Sequence, residues 1–299
     1  MGRAAGRPGV AGNTARAGPV PPGVLPTRLV STLAGAALAA GLLVTPLLGG
    51  ASPTRAANPR AATVQKVFPS AVRLQLTVAG EIVRSASGIA FARRGGSTYV
   101  LTNAHVVEPA KDWRTAPELR VLPYSGAPAV AKVVARGRVP DVDLAVVEVP
   151  GELPVTPLAD DDTLELGDDL VVVGAPFGKG LSVAAGIVSQ VEYDHAENAD
   201  APRSAVGLKT DAAIGYGSSG GGVFDVEGGR LVGVVEGYRT ARVAFGEEYH
   251  FDVPMPGETF VAPAAKIRRF LRDSGLGDLA PEAVRAARGA VAAPVAPKL

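Results

Sequence analysis

Short apolar runs separated by turn residues recur at intervals of roughly ten residues, and this spacing limits the fold more than any other feature. The runs fall at 71–78, 81–92, 98–102, 118–122, 129–135, 143–149, 169–173, 181–193, 205–208, 221–224 and 230–236. In the first of them Val72, Leu74, Leu76 and Val78 alternate, so they share one face of a strand. The runs are too short and too rich in turns for alternating strand–helix units. They predict an all-β sandwich or barrel. One helix is predicted over 263–271, with Ile267, Phe270 and Leu271 on one side and Gly275 as its stop.

Composition excludes several classes of function. The chain has no cysteine, which removes disulfides, thiolate metal sites and a cysteine nucleophile. With 3 histidines in all, a histidine-rich metal centre is not expected, and neither a cofactor nor a metal is predicted. Charge is balanced at 30 basic and 29 acidic side chains, with no basic run interleaved with aromatics, so no nucleic-acid partner is expected. The N-terminus is more directive. Arg3, Arg7, Arg16 and Arg28 precede an uncharged stretch, 29–54. Its segment 29–51, about 23 residues, would rise roughly 34 Å as a helix, enough to span a bilayer core. The basic flank is expected to stay cytoplasmic. A cleaved export signal and an uncleaved anchor both fit, so the expected location is extracytoplasmic, either secreted or periplasmic, or membrane-anchored. The predicted organisation is a disordered basic segment at 1–28, the signal or transmembrane segment at 29–51, a linker at 52–61, a folded domain at 62–274 and an Ala/Pro-rich tail at 275–299.

The chemistry concentrates at Gly217-Ser218-Ser219-Gly220-Gly221. A serine beside glycines offers a hydroxyl next to bare backbone N–H groups, hence a nucleophile together with donors for a developing oxyanion. Gly217 and Ser219 are the expected oxyanion donors. Ser218 is a competing hydroxyl, but Ser219 stands directly before the paired glycines. A serine hydroxyl needs a base, and His105 lies at the end of a strand in Thr102-Asn103-Ala104-His105-Val106-Val107. The imidazole then needs an acceptor for its other nitrogen. Asp141 and Asp143 share a face in strict alternation, so spacing alone does not choose between them. Asp143 adjoins the apolar run and is the one expected to be buried. Each motif also has a plainer reading: a flexible glycine loop, a structural histidine, a strand-capping acid. His195 and His250 fall in polar stretches and are read as surface residues.

Together these motifs resemble the HtrA/Deg-like group of chymotrypsin-fold serine proteases. The resemblance rests on Thr102–Val107, on Asp141-Val142-Asp143-Leu144-Ala145-Val146 and on Thr210-Asp211-Ala212-Ala213-Ile214-Gly215-Tyr216-Gly217-Ser218-Ser219-Gly220-Gly221-Gly222. It also rests on Gly174-Ala175-Pro176-Phe177-Gly178, on 182–189 and on 260–271. It covers about 62–274. It implies a double β-barrel with a C-terminal helix, and it selects His105, Asp143 and Ser219 as the catalytic residues, in the chain order of the chymotrypsin template. It also implies a primary pocket at Ala213, Val235 and Gly237. Ala213, six residues before Ser219, supplies no carboxylate for basic side chains, so small or medium apolar residues are expected there. The chain departs from the family pattern at Gly215, Tyr216, Ser218 and Gly222, changes expected to loosen the turn. No PDZ module is expected after the peptidase unit. Residues 237–258 are longer than expected between two strands and are read as a surface loop shaping the cleft.

The expected function is a serine endopeptidase that hydrolyses exported or unfolded polypeptides through an acyl-enzyme. The alternative is a latent or inactive protease-like protein that binds polypeptides or acts as a scaffold. Oligomeric state is not predicted.

Overall fold

A computed structural model describes residues 58–111, 113–160, 164–193, 204–245 and 249–280. The expected basic segment, the signal or anchor segment, His195 and most of the tail lie outside these residues. Among the described residues, no helix is long and apolar enough to cross a membrane.

The first element departs from expectation. Much of what reads as the end of a linker and the start of the strand series is helix α1, Pro59–Val67. The Asn58 side chain caps it by accepting the Ala61 N–H, and Pro59 occupies the first turn, where its missing donor is not needed. Thr63 and Val67 are its buried residues, so no apolar stripe announces it.

Six antiparallel strands then close a first barrel: β1 (Ala71–Val78), β2 (Glu81–Arg94), β3 (Ser97–Thr102), β4 (Glu118–Pro123), β5 (Ala129–Arg136) and β6 (Ala145–Pro150). Around the barrel they run β1-β2-β3-β6-β5-β4. A short helix α2, Ala104–Val107, follows β3. The second barrel takes β7 (Asp169–Gly174), β8 (Ser182–Tyr193), β9 (Ala205–Thr210), β10 (Gly222–Asp225), β11 (Leu231–Phe245) and β12 (Tyr249–Pro263), in the order β10-β11-β12-β9-β8-β7. Helix α3, Ala264–Asp273, follows the second barrel, Gly275 leaves it at φ +72°, and a single 3-10 turn, Gly277–Leu279, comes after it. This is the expected double barrel with a C-terminal helix.

Three apolar clusters explain why so many strands read as continuous hydrophobic runs. Val72, Leu74, Leu76, Val100, Val121 and Val147 fill the first barrel. Leu170, Val172, Val188, Leu208, Val223 and Val261 fill the second. Between the barrels lie Ile89, Leu101, Val146, Val171, Val173 and Phe224, joined by Ile267 and Leu271 of α3. A strand such as β7 therefore sends Leu170 and Val172 into its own barrel and Val171 and Val173 into the shared core. Leu279, beyond the expected domain end, also packs into the shared core.

The described residues of 237–258 are not an irregular loop. Strands β11 and β12 continue past the barrel as a paired ribbon, with Thr240 opposite Pro254, Arg242 opposite Asp252 and Val243 opposite Phe251.

Candidate active site

The His105 backbone is fixed before its ring is considered. Strand β3 ends at Thr102 rather than running into the histidine, and His105 sits on the single turn of α2. Asn103 precedes that turn in extended conformation, and its Nδ2 donates to the Asp143 carbonyl at 2.8 Å. At the other end Arg84 Nη1 reaches the carbonyls of His105 at 2.7 Å, Val106 at 2.9 Å and Glu108 at 2.8 Å. A guanidinium thus satisfies carbonyls that a four-residue helix leaves without partners.

Asp143 then holds the ring at two points. Its Oδ1 accepts the His105 backbone N–H at 2.9 Å, and its Oδ2 lies 2.6 Å from Nδ1. Burial pushes the Asp143 carboxyl upward, but hydrogen bonds from the His105 ring and from the His105 and Ala104 N–H groups outweigh it and hold the carboxyl below its usual range. An ionised carboxylate can only accept, so Nδ1 carries the proton of this bond, which leaves Nε2 as the nitrogen of the neutral tautomer that can accept a proton. The Asp143 side chain is 16% exposed, while the ring stays 41% exposed and open to a reacting partner. Asp141 is exposed. Of the two acids that alternation left open, Asp143 is the one that meets the ring.

The serine turn comes from the other barrel and docks on strand β2. Ser87 is fully buried there and fastens the turn. Its N–H donates to the Ser219 carbonyl at 2.9 Å, its Oγ donates to the Gly217 carbonyl at 2.7 Å, and that Oγ accepts the Ala175 N–H at 2.7 Å. Thr102 Oγ1, just ahead of α2, donates to the Ser87 carbonyl at 2.8 Å. The histidine turn and the serine turn thereby share one anchor. Sequence reading missed Ser87; the available signal was a polar residue inside the apolar β2 run. It also missed Arg84.

The glycines act differently from expectation. Sequence reading valued the glycines beside Ser219 for their bare backbone N–H groups. A Cβ on Gly220 would lie 2.1 Å from the Ser87 carbonyl oxygen and 2.3 Å from Thr102 Oγ1, and its φ is +83°. Its missing side chain lets the two barrels approach. The turn is not loose either. Phe177 N–H donates to the Tyr216 carbonyl at 2.6 Å, Ser218 N–H to Gly215 at 3.0 Å, and Gly220 N–H to Val235 at 3.0 Å. At Gly222 the Phe224 ring fills the space a side chain would need.

Ser218 is buried, with its Oγ 3.4 Å from the Gly215 N–H, whereas Ser219 is half-buried. Among the described residues no acceptor takes the N–H of Gly217 or of Ser219, while the N–H groups of Ser218, Gly220 and Gly221 are all bonded. No hydrogen bond joins the Ser219 hydroxyl to the His105 ring among the described residues. Ala213 is exposed, and the space where a Gly237 side chain would stand is open. Val235 points into the core of the second barrel, so its contribution to the site is its backbone. Tyr216 and Tyr238 meet edge to face at 5.7 Å beside the turn. Burial first, and then the Tyr216 phenol, pushes the Tyr238 hydroxyl up to about 12 and keeps it neutral. His250 lies exposed on β12. No cluster of metal-ligating side chains occurs among the described residues.

Residues 86–234 match the family model of the trypsin-like peptidase domain. The chain carries a trypsin-like peptidase domain with HtrA/DegP relatives. This HtrA-type domain is 34% identical over 155 residues to the serine protease Do-like HtrA of Bacillus subtilis, covering 50% of this chain and 32% of that protein. It is 36% identical over 141 residues to the periplasmic serine endoprotease DegP of Salmonella typhimurium, covering 46% and 26%. Among solved structures it is similar to the HtrA-type protease AlgW with a tripeptide, at TM-score 0.55 and 26% identity, covering 73% of this chain and 64% of that one. The HtrA-type chain thus spans a third or less of those two curated relatives.

Proposed function

We propose that the chain is a serine endopeptidase in which Ser219 is the nucleophile, His105 the general base and acid, and Asp143 the orienting carboxylate. The observation that carries this reading is the two-point grip of Asp143 on His105 beside a serine turn whose Gly217 and Ser219 N–H groups are uncommitted.

In the proposed reaction Ser219 Oγ attacks the carbonyl carbon of a peptide bond as His105 Nε2 takes its proton. Asp143 stabilises the imidazolium without taking the proton itself. The carbonyl oxygen becomes an oxyanion held by the Gly217 and Ser219 N–H groups; one such donor is worth about 3 kcal/mol in the transition state. Collapse breaks the C–N bond, and the imidazolium gives its proton to the departing amine. Water, deprotonated by the same imidazole, then attacks the acyl ester and restores Ser219. The substrates are polypeptides. Ala213 and Gly237 bound an uncharged primary pocket, which suits cleavage after Val, Ala or Leu. The peptidase unit takes in α1 at one end and Leu279 at the other, and the apolar segment 29–51 directs it out of the cytoplasm, as a cleaved signal or an anchor.

A second reading, a latent site that binds polypeptides, is motivated by the missing hydrogen bond between Ser219 and His105. Hydrolysis of unfolded casein by the full chain separates the two. The endopeptidase reading expects a roughly 10⁴-fold or greater loss of kcat in Ser219→Ala and in His105→Ala. No hydrolysis by folded wild-type protein, or hydrolysis that survives Ser219→Ala, contradicts it. Cleavage sites dominated by Arg or Lys would overturn the pocket assignment.

A further inference from the structure

A cavity of about 470 Å³ opens beside the His105 ring, lined by Arg84, His105 and the segment Glu108–Lys111 that leaves α2. That volume suits a binding cleft. Its residues all belong to the first barrel, whereas Ala213 and Gly237, read as the primary pocket, lie in the second. None of Arg84, Glu108 and Lys111 falls in the motifs that carry the family resemblance.

Arg84 is held on two sides and free on a third. Its Nη1 is engaged by the carbonyls of His105, Val106 and Glu108. Trp113 packs against the guanidinium, with the ring centroid 5.4 Å from Cζ. The remaining edge, Nε with Nη2, is the one that can hold a carboxylate through two parallel hydrogen bonds, and it has no acceptor among the described residues. Lys111 stands exposed on the same cavity, with no acidic partner among the described residues. Glu108, the acid of the lining, is exposed and faces Arg136 at 3.6 Å. Asp112 lies outside the described residues. A fixed guanidinium fork beside a second cation suits an anion with carboxylate geometry.

We propose that this cavity is a subsite for the departing half of the substrate, and that it selects Asp or Glu within the first two residues after the scissile bond. The carboxylate pairs with Nε and Nη2 of Arg84, and Lys111 adds its charge. The proposal rests on the reading of Ser219 and His105 as nucleophile and base. In that reaction His105 gives its proton to the departing amine, so the departing half lies on the His105 side of the cleft. The acyl half lies over Ala213 and Gly237 of the other barrel. An acidic side chain close to the new amine therefore meets the cavity that shares the His105 ring. Because Arg84 is already fixed, little ordering remains to oppose the pairing.

The test uses the full chain and quenched fluorescent peptides that share Val before the scissile bond. They carry Glu, Gln or Lys at the first or the second residue after it. The readout is the ratio of kcat/KM between Glu and Gln peptides, which cancels any general loss of activity. The wild type should prefer Glu by roughly tenfold or more at one of the two positions, with Lys the poorest. Raising the ionic strength from about 0.05 to 0.5 M should shrink that preference. Lys111→Glu should lower the ratio at least about threefold. Arg84→Lys, which keeps the charge and loses the fork, should bring the ratio close to one. If Arg84→Lys is inactive, Lys111→Glu alone is held to its criterion. Equal rates on Glu and Gln peptides overturn the proposal and leave the endopeptidase reading intact, as does a Glu preference that survives the substitutions. Failure of folded wild-type protein to cleave any of the peptides, or casein, removes the endopeptidase reading and this proposal with it.

Discussion

At the scale of single residues, Asp143 is the most exposed to test. It is grouped with His105 by two hydrogen bonds to one ring-bearing residue. Asp143→Asn should leave KM nearly unchanged and lower kcat roughly 10⁴-fold, because an amide imposes the wrong tautomer on the ring. Steady-state kinetics on a short peptide substrate measures this. The pH dependence follows from the sign of the shift. The folded carboxyl is held below its ordinary value, so its contribution to stability is complete above the unfolded carboxyl pKa and is lost as pH falls through the lower folded value. Asp143 therefore stays ionised throughout the neutral and mildly acidic range, so its own protonation should lower activity only below that range. Much of this site was legible in sequence, because a histidine turn, an acid at a strand head and a serine among glycines each need particular residue types. The choice between Asp141 and Asp143 was not legible from alternation, since it depends on which acid the α2 turn can reach.

At the scale of elements, the junction between the serine turn and β2 depends on Ser87. Ser87→Ala removes a donor to Gly217 and an acceptor for Ala175, leaving buried backbone groups without partners. We expect a loss of about 1–3 kcal/mol in urea unfolding and a fall in kcat/KM through misplacement of the turn. The turn between β10 and β11 gives a control away from the site. Asp225 accepts from Arg230 Nη2 at 2.6 Å and from the Arg230 and Gly228 N–H groups. Burial raises the Asp225 carboxyl, and the bonds from Arg230 outweigh it and lower it. Arg230→Ala should cost about 1–2 kcal/mol at pH 7, discounted because Arg230 is partly exposed. That cost should fade as pH drops through the depressed Asp225 value, because protonation removes the charge that Arg230 meets; urea titrations at pH 7 and pH 3 compare the two. Ser87 shows in sequence only as a polar residue inside the β2 run; its role was not legible because Gly217, Ser219 and Ala175, which it bonds, lie in the other barrel. Helix α1 was hidden because it lacks an apolar stripe. The ribbon was hidden because Pro254, Pro256 and Gly257 interrupt its alternation.

At the scale of the whole molecule, the strand spacing led to the double barrel because both faces of the central strands are apolar, one for the barrel interior and one for the core between barrels. Phe224 sits in that shared core. Phe224→Ala should cost about 3–5 kcal/mol and keep a single urea transition, since the barrels share one interface. Two separate transitions would contradict the shared core. The proposed mechanism requires the same interface to bring His105 and Asp143 from the first barrel to Ser219 from the second. The most direct measurement of that convergence is mass-spectrometric mapping of a fluorophosphonate adduct on the full chain. The account expects a single adduct on Ser219, formed rapidly in the wild type and at least about 10³-fold more slowly in His105→Ala. An adduct on Ser218, an adduct indifferent to His105, or none on folded protein would contradict it.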